Sequence, residues 1–302
     1  MLFYNIFRLA GDIIMNIQWF PGHMTKAIRM MEENLRLVDA LIYVIDSRAV
    51  FSCNNPLFDK LIAGKKVLYV FNKCDLVREG DLSRWCASFD EQGKTYVKAV
   101  GTSGDCSAIV EGLKRVASDK LARFGERGAK VSVRAMVVGV PNSGKSTLIN
   151  AMCKRAGAVT GDRPGVTRGK QWMSVGGVDL LDTPGTLWGK FTDESVAKHL
   201  GYIGSIRDEV LDVEELAYAF LEEVSEEYSE ELKNRYALSA VSENTLTLFE
   251  DIAAARGFKV RGGEPDLART ARCILDDFRK GRIGKIMLEK PKTQGLVLKK
   301  KG

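Results

Sequence analysis

The stretch 139-GVPNSGKSTL-148 constrains the fold more than any other feature of the chain. It fits G-x-x-x-x-G-K-[ST], with the strand-like run 133-VRAMVVG-139 before it and the helix-compatible run 145-KSTLINAMC-153 after it, the context a phosphate-binding loop requires. Glycines there let the backbone curl so that N–H groups across Asn142, Ser143, Gly144, Lys145, Ser146 and Thr147 converge on phosphate oxygens, and the helix start adds a favourable dipole. Lys145 would neutralise the β- and γ-phosphates, and the Ser146 hydroxyl would hold Mg²⁺.

Around this loop, strand-length apolar runs alternate with helix-compatible stretches. Residues 40-ALIYVIDSR-48, 67-VLYVFNKCD-75, 96-YVKAV-100 and 131-VSVRAMVVGV-140 read as buried strands, and 23–38 and 81–93 read as helices. The pattern predicts an α/β domain with a mostly parallel sheet covered by helices on both faces. Residues 172–185 add a hairpin turning at Gly176-Gly177, with a strand ending at Asp182. Beyond about residue 190 only helical stripes appear, among them Val213, Ala217, Phe220 and Val224, then 244–257 and 265–281. The expected division is a nucleotide-binding domain over 16–190, a small all-α domain over 191–285 and a basic tail over 286–302.

A chain of 302 residues, 45% apolar, is long enough for these two domains. Its six cysteines show neither a CxxC pair nor a histidine cluster, which argues against a zinc site or disulfide framework and suits a reducing cytoplasm. The opening MLFYNIFRLAGDII is interrupted by Arg8 and Asp12, so no membrane span is expected. Met15 begins a new phrase, and residues 1–15 read as an N-terminal extension or an ordered amphipathic turn. Charge is asymmetric: eleven acids and no base lie between Asp208 and Glu231, whereas nine Lys/Arg and one Glu lie between Arg279 and Lys301. The second run reads either as a basic arm for nucleic-acid phosphate or as a solvated tail.

Two further motifs define a ligand. In 182-DTPG-185, Asp182 is a strand-end carboxylate suited to anchoring Mg²⁺, and the Gly185 N–H can meet a γ-phosphate; Thr167 in 161-GDRPGVT-167 can complete the metal shell. In 72-NKCD-75, Asp75 can accept from guanine N1–H and N2–H₂, donors that adenine lacks, so the pocket selects GTP and GDP over ATP. Lys73 would lie over the purine plane, Asn72 would tie neighbouring loops together, and Cys74 belongs to the same turn. NKCD precedes the phosphate loop instead of following it. A sheet needs only spatial adjacency of its loops, so a link over about 105–130 can join a domain's usual end to its beginning without changing the site. This order also places DTPG beside the helical region, where nucleotide state can orient it.

Taken together, WFPGHM at 19–24, DSR at 46–48, NKCD, GVPNSGKSTLIN, TGDRPGVT and DTPG resemble the circularly permuted GTPases of the YlqF type over about residues 16–290. The resemblance implies a circularly permuted Ras-like P-loop domain that hydrolyses GTP to GDP and phosphate. It also implies binding to the precursor of the large ribosomal subunit during late assembly, with the helical domain on ribosomal RNA. The protein is expected to be cytoplasmic and monomeric off the ribosome. Arg261, Arg269, Arg272, Arg279, Lys280, Arg282 and Lys285 are the candidate RNA contacts, with a solvated helical face as the alternative. A GTPase of tRNA modification or translation and a nucleotide-gated interaction protein are the rival readings.

The chain departs from the pattern behind the guanine, where a small Ser-Ala-like turn is replaced by 99-AVGTSGD-105, leaving Val100, Gly101 and Thr102 as approximate carriers. Thr186 stands where Ras-like enzymes place the water-orienting glutamine. The resemblance gives His23 of FPGHM a catalytic role, while its position at a helix start also fits a cap; His199 reads as structural. Asn142 matches the asparagine that helps ligate K⁺ in similar potassium-activated enzymes, or simply favours the turn.

Overall fold

The computed structural model describes residues 22–104, 106–126, 131–155, 172–188, 191 and 193–291. The first half alternates as the apolar runs predict: α1 (Gly22–Asn34), β1 (Ala40–Asp46), α2 (Leu57–Ile62), β2 (Lys66–Asn72), α3 (Glu79–Glu91), β3 (Thr95–Ala99), α4 (Ser107–Val116), α5 (Ser118–Gly125), β4 (Val133–Val138) and α6 (Lys145–Arg155). The hairpin β5 (Trp172–Val175) and β6 (Val178–Leu181) follows. The helices α7 (Glu194–Tyr202), α8 (Val213–Val224), α9 (Ser229–Tyr236), α10 (Thr245–Ala255) and α11 (Leu267–Arg279) come next.

The six strands form one sheet in the order β3-β2-β1-β4-β6-β5, parallel throughout except for the β5–β6 hairpin. All seven residues of β1 are buried, as expected of a central strand covered on both sides. Strand periodicity sorts its side chains between two cores. Ala40, Ile42 and Val44 join Leu68, Val70 and Val137 under Ile109 and Leu113 of α4 and Leu148 of α6. Leu41, Tyr43 and Ile45 join Tyr69, Phe71 and Val138 on the opposite face, under Met31 of α1 and Phe89 of α3. The link expected over about 105–130 therefore contains two helices, and α4 covers one face of the sheet.

The second core continues without a break into the helical region through Leu187, Val196, Leu200, Phe220, Ile274 and Phe278. Four of the later helices start at side-chain caps: Asp193 accepts from Ser195 N, Asp212 from Glu214 N and Glu215 N, Asn244 from Thr247 N, and Asp266 from Arg269 N. Among the described residues after 190, no strand forms beyond one isolated Lys259–Pro265 bridge.

Residues 286–291, the described start of the expected basic tail, pack against the fold. Ile286 N–H donates to Leu76 O and Leu288 N–H to Arg48 O, while Ile283, Ile286, Met287 and Glu289 are buried. The apolar residues interleaved with the lysines drive this packing, and a charge count alone overlooks them. Residues 292–302 lie outside the described residues.

Candidate nucleotide-binding site

The phosphate loop joins β4 to α6, and its neighbours fix it from three sides. Asn72, at the end of β2, donates through Nδ2 to Ser143 O (2.8 Å) and accepts from Gly101 N–H (3.0 Å). The NKCD asparagine thus ties the phosphate loop to the 100–102 turn, across the permuted chain order. Gly144 has φ +93°, and a Cβ there would lie 2.2 Å from Asn72 Nδ2, so both conformation and space exclude a side chain. On the DTPG side, a Cβ on Gly185 would lie 2.6 Å from Pro141 Cα and 2.9 Å from Lys145 Nζ, so this glycine permits the two loops to touch.

Lys145 is buried, with Nζ donating to Gly139 O (3.1 Å) and Val140 O (2.8 Å). Burial draws its ammonium down to about 8, against the opposing pull of Asp182. Ser146 Oγ donates to Asp182 Oδ2 (3.4 Å), and burial raises the Asp182 carboxyl above its usual range. Asp182 Oδ1 is buried with no hydrogen-bond partner among the described residues. A hydroxyl beside a desolvated, half-satisfied carboxylate is a donor set that fits a hard divalent cation.

Lys73 adopts a left-handed conformation, φ +57°, and its ammonium bridges Asp46 Oδ2 (2.8 Å) and Asn142 O (2.8 Å). Asp75 borders a cavity of about 270 Å³ together with Lys73, Val100, Gly101, Thr102 and Thr147. The expected base-reading residues therefore meet the phosphate loop around one recess. Cys74 opens the short 3₁₀ turn Cys74–Leu76. Asn142, at φ +58°, donates through Nδ2 to Gly204 O (2.5 Å), and Ser205 Oγ donates to Pro141 O (2.6 Å). The phosphate loop is thereby fastened to the turn that follows α7, a contact that no short motif announces.

Thr186 is fully buried, its carbonyl accepting from Asn55 Nδ2 (2.9 Å), and Leu187 sits in the core. Neither is placed to aim water. His23 falls in the first turn of α1, and its side chain lies outside the described residues, as does Thr167. His199 is structural, as expected: Nδ1 meets Glu289 Oε1 (2.8 Å) and Nε2 meets Glu223 Oε1 (2.7 Å).

The candidate RNA cations are differently disposed. Arg279 donates to Gly201 O (2.8 Å), Tyr202 O (3.1 Å) and both oxygens of Asp208, so its guanidinium fork holds the helical region together. Of the acidic stretch, Asp208 is the residue that pairs with it, so Arg279 carries a structural role beside its candidacy as an RNA contact. Arg282 pairs with Asp276 and Asp277, Lys280 pairs with Asp276, and Arg269 lies 4.2 Å over the Phe258 ring. Arg261, Arg272 and Lys285 are exposed. Among the described residues no helix is long and apolar enough to cross a membrane, and no cluster of metal-ligating side chains lies elsewhere.

A phosphate loop on the central parallel strand, the NKCD turn on the next strand but one and a DxxG carboxylate beside them define a P-loop GTPase with permuted strand order, an enzyme that hydrolyses GTP. The 50S ribosome-binding GTPase family model matches residues 134–244. The chain is 39% identical over 284 residues to ribosome biogenesis GTPase A of Bacillus cereus, covering 93% of this chain and 96% of that one. It is 32% identical to mitochondrial ribosome-associated GTPase 1 of Mus musculus, over 94% and 93% of the two chains. The GNP-bound crystal structure of YlqF from T. maritima superposes with a TM-score of 0.62 at 27% identity, covering 88% of this chain and 99% of that one. The chain belongs to the ribosome biogenesis GTPase A family of YlqF-type, circularly permuted GTPases.

Proposed function

We propose that this GTPase assists late assembly of the large ribosomal subunit, engaging its precursor and ribosomal RNA through the helical region in a manner set by the bound nucleotide. The functional units are the GTPase domain over 16–190, the helical domain over 191–285 and the basic segment over 286–302, with residues 1–15 as an extension. The observation that carries the coupling is the pair of hydrogen bonds from Asn142 and Ser205 that fasten the phosphate loop to the end of α7. Similarity to ribosome-associated GTPases along nearly the whole chain, helical region included, supports the ribosomal partner.

Within the site, the phosphate-loop N–H groups and Lys145 hold the β- and γ-phosphates, and Asp75 accepts from the guanine edge. Ser146 and Asp182, with Thr167 contributing, would hold Mg²⁺, which would supply neutralisation of the phosphate oxygens. Water attacks the γ-phosphorus, the bond to the β-phosphate bridging oxygen breaks, and GDP and inorganic phosphate leave. With Thr186 buried, the water is aimed by His23, so His23→Ala lowers turnover by about 10²–10⁴-fold while GTP affinity stays nearly constant. Asn142 is the K⁺ candidate, and hydrolysis faster in KCl than in NaCl at equal ionic strength tests it.

Sedimentation with large-subunit precursors tests the ribosomal role. Association that is tighter with a nonhydrolysable GTP analogue than with GDP supports it. Equal recovery with both nucleotides, or none with either, overturns it. The protein acts in the cytoplasm and is a monomer when off the ribosome.

A further inference from the structure

The DSR segment at 46–48 has no part in the chemistry above, yet its two charged side chains are almost completely buried. Arg48 Nε and Nη2 donate to Asp46 Oδ1 (2.9 Å) and Oδ2 (2.8 Å). Asp46 also receives Lys73 Nζ, the cation of the guanine-reading turn. Burial opposes this carboxylate's charge, but Arg48 and Lys73 overcome it and hold its pKa far below the usual range. The remaining Arg48 nitrogen, Nη1, donates to Phe278 O (3.0 Å) and Arg279 O (3.2 Å), and the guanidinium carbon lies 4.8 Å from the Phe278 ring centroid. Those carbonyls belong to the last turn of α11, where helix geometry leaves acceptors unmatched and negative partial charge collects.

Arg48 therefore clamps the end of α11 against the strand-end carboxylate that holds Lys73. The consequence is visible in the nucleotide recess: Arg279 and Lys280 line the same cavity as Asn72, Lys73 and Asp75. Arg279 is turned away into its bonds with Gly201, Tyr202 and Asp208, as described. Lys280 is 60% exposed, and its one ion pair among the described residues, with Asp276, is of the surface kind that exchanges readily with another acceptor.

We infer that Lys280 completes the guanine-nucleotide pocket from the helical region, and that Asp46 and Arg48 are the positioning pair that sets Lys73 and Lys280 on it together. An ammonium with three N–H donors suits the acceptors of a guanine nucleotide, O6, N7 and the ribose oxygens. The inference rests on guanine reading by NKCD, and it gives bound nucleotide a direct grip on the helical region in addition to the phosphate-loop contacts.

The test is displacement of fluorescent GDP from the full chain by excess unlabelled GDP, with calorimetric affinities for GDP and xanthosine diphosphate. Lys280→Ala is expected to release GDP about three- to tenfold faster, Lys280→Arg to restore most of the difference, and unliganded melting to stay at the wild-type temperature. Arg48→Lys keeps a cation beside Asp46 but loses the two carbonyl bonds; it should speed release as well, and adding Lys280→Ala to it should add little. GDP release by Lys280→Ala at the wild-type rate overturns the inference. Asp75→Asn separates this from failure of the base-reading turn, because it should exchange GDP for xanthosine diphosphate. If that exchange occurs while Lys280→Ala is silent, only the Lys280 contact falls; if Asp75→Asn retains GDP, the guanine pocket and the contact fall together.

Discussion

Asn72 Nδ2 donates to Ser143 O at 2.8 Å, joining the NKCD turn to the phosphate loop although the chain reaches them in reverse of the familiar order. The same side chain accepts from Gly101 N–H, so one amide holds three loops. Asn72→Ala would leave a buried carbonyl and a buried N–H unmatched, each costing roughly 1–3 kcal/mol. Nucleotide affinity should fall by about 10–100-fold in calorimetry, with unliganded melting also lowered.

Gly144→Ala addresses the same junction from the other side. Its methyl group would meet Asn72 Nδ2, and its backbone would be held in a left-handed conformation that a Cβ penalises by roughly 1–2 kcal/mol. Circular dichroism should show the wild-type fold, because the sheet does not depend on this loop, while GDP binding falls at least tenfold. Wild-type affinity in Gly144→Ala would contradict the loop geometry.

His199 joins three segments through its bonds to Glu223 of α8 and Glu289 of the C-terminal strap, with Ser52 Oγ 3.3 Å from Nδ1. Burial works against protonation, but the two carboxylates overcome it and raise the imidazole to about 9. A histidine raised in the folded state contributes stability that is fully present below its unfolded value near 6.5 and is lost as pH rises through about 9. Thermal unfolding should therefore show a loss on the order of 2–3 kcal/mol between pH 6.5 and 9.5 that His199→Gln lacks. Parallel curves for the two proteins would exclude the charged clamp.

Arg279 and Lys285 should separate structure from RNA contact. Arg279→Ala removes bonds to two carbonyls and to Asp208, and should lower unfolding free energy by about 2–4 kcal/mol. Lys285→Glu should leave melting unchanged and weaken association with ribosomal RNA, with a shallower dependence on salt. An unchanged salt slope would remove Lys285 from the RNA surface.

Much of this architecture is legible in the residues because local and global signals coincide. Short apolar runs such as ALIYVID, rich in β-branched and aromatic residues, read as central strands, and the phosphate loop and NKCD each follow such a strand, so adjacency in the sheet brings them together. What sequence reading missed depends on partners remote along the chain. Arg48 caps a helix that ends far beyond it, and Glu289 is buried because His199 and Ser52 await it. Charge counts place a basic arm where the fold packs Ile286 and Met287, and they do not show that Asp208 pairs with Arg279. Those pairings have no local periodicity or motif.

GTP turnover measured with and without purified large ribosomal subunits bears most directly on the account, because it joins the permuted site to its proposed partner in one number. Turnover should be slow for the free protein, rise at least tenfold with large subunits and remain low in His23→Ala under both conditions. Identical turnover with and without large subunits would contradict the coupling of this site to the ribosome.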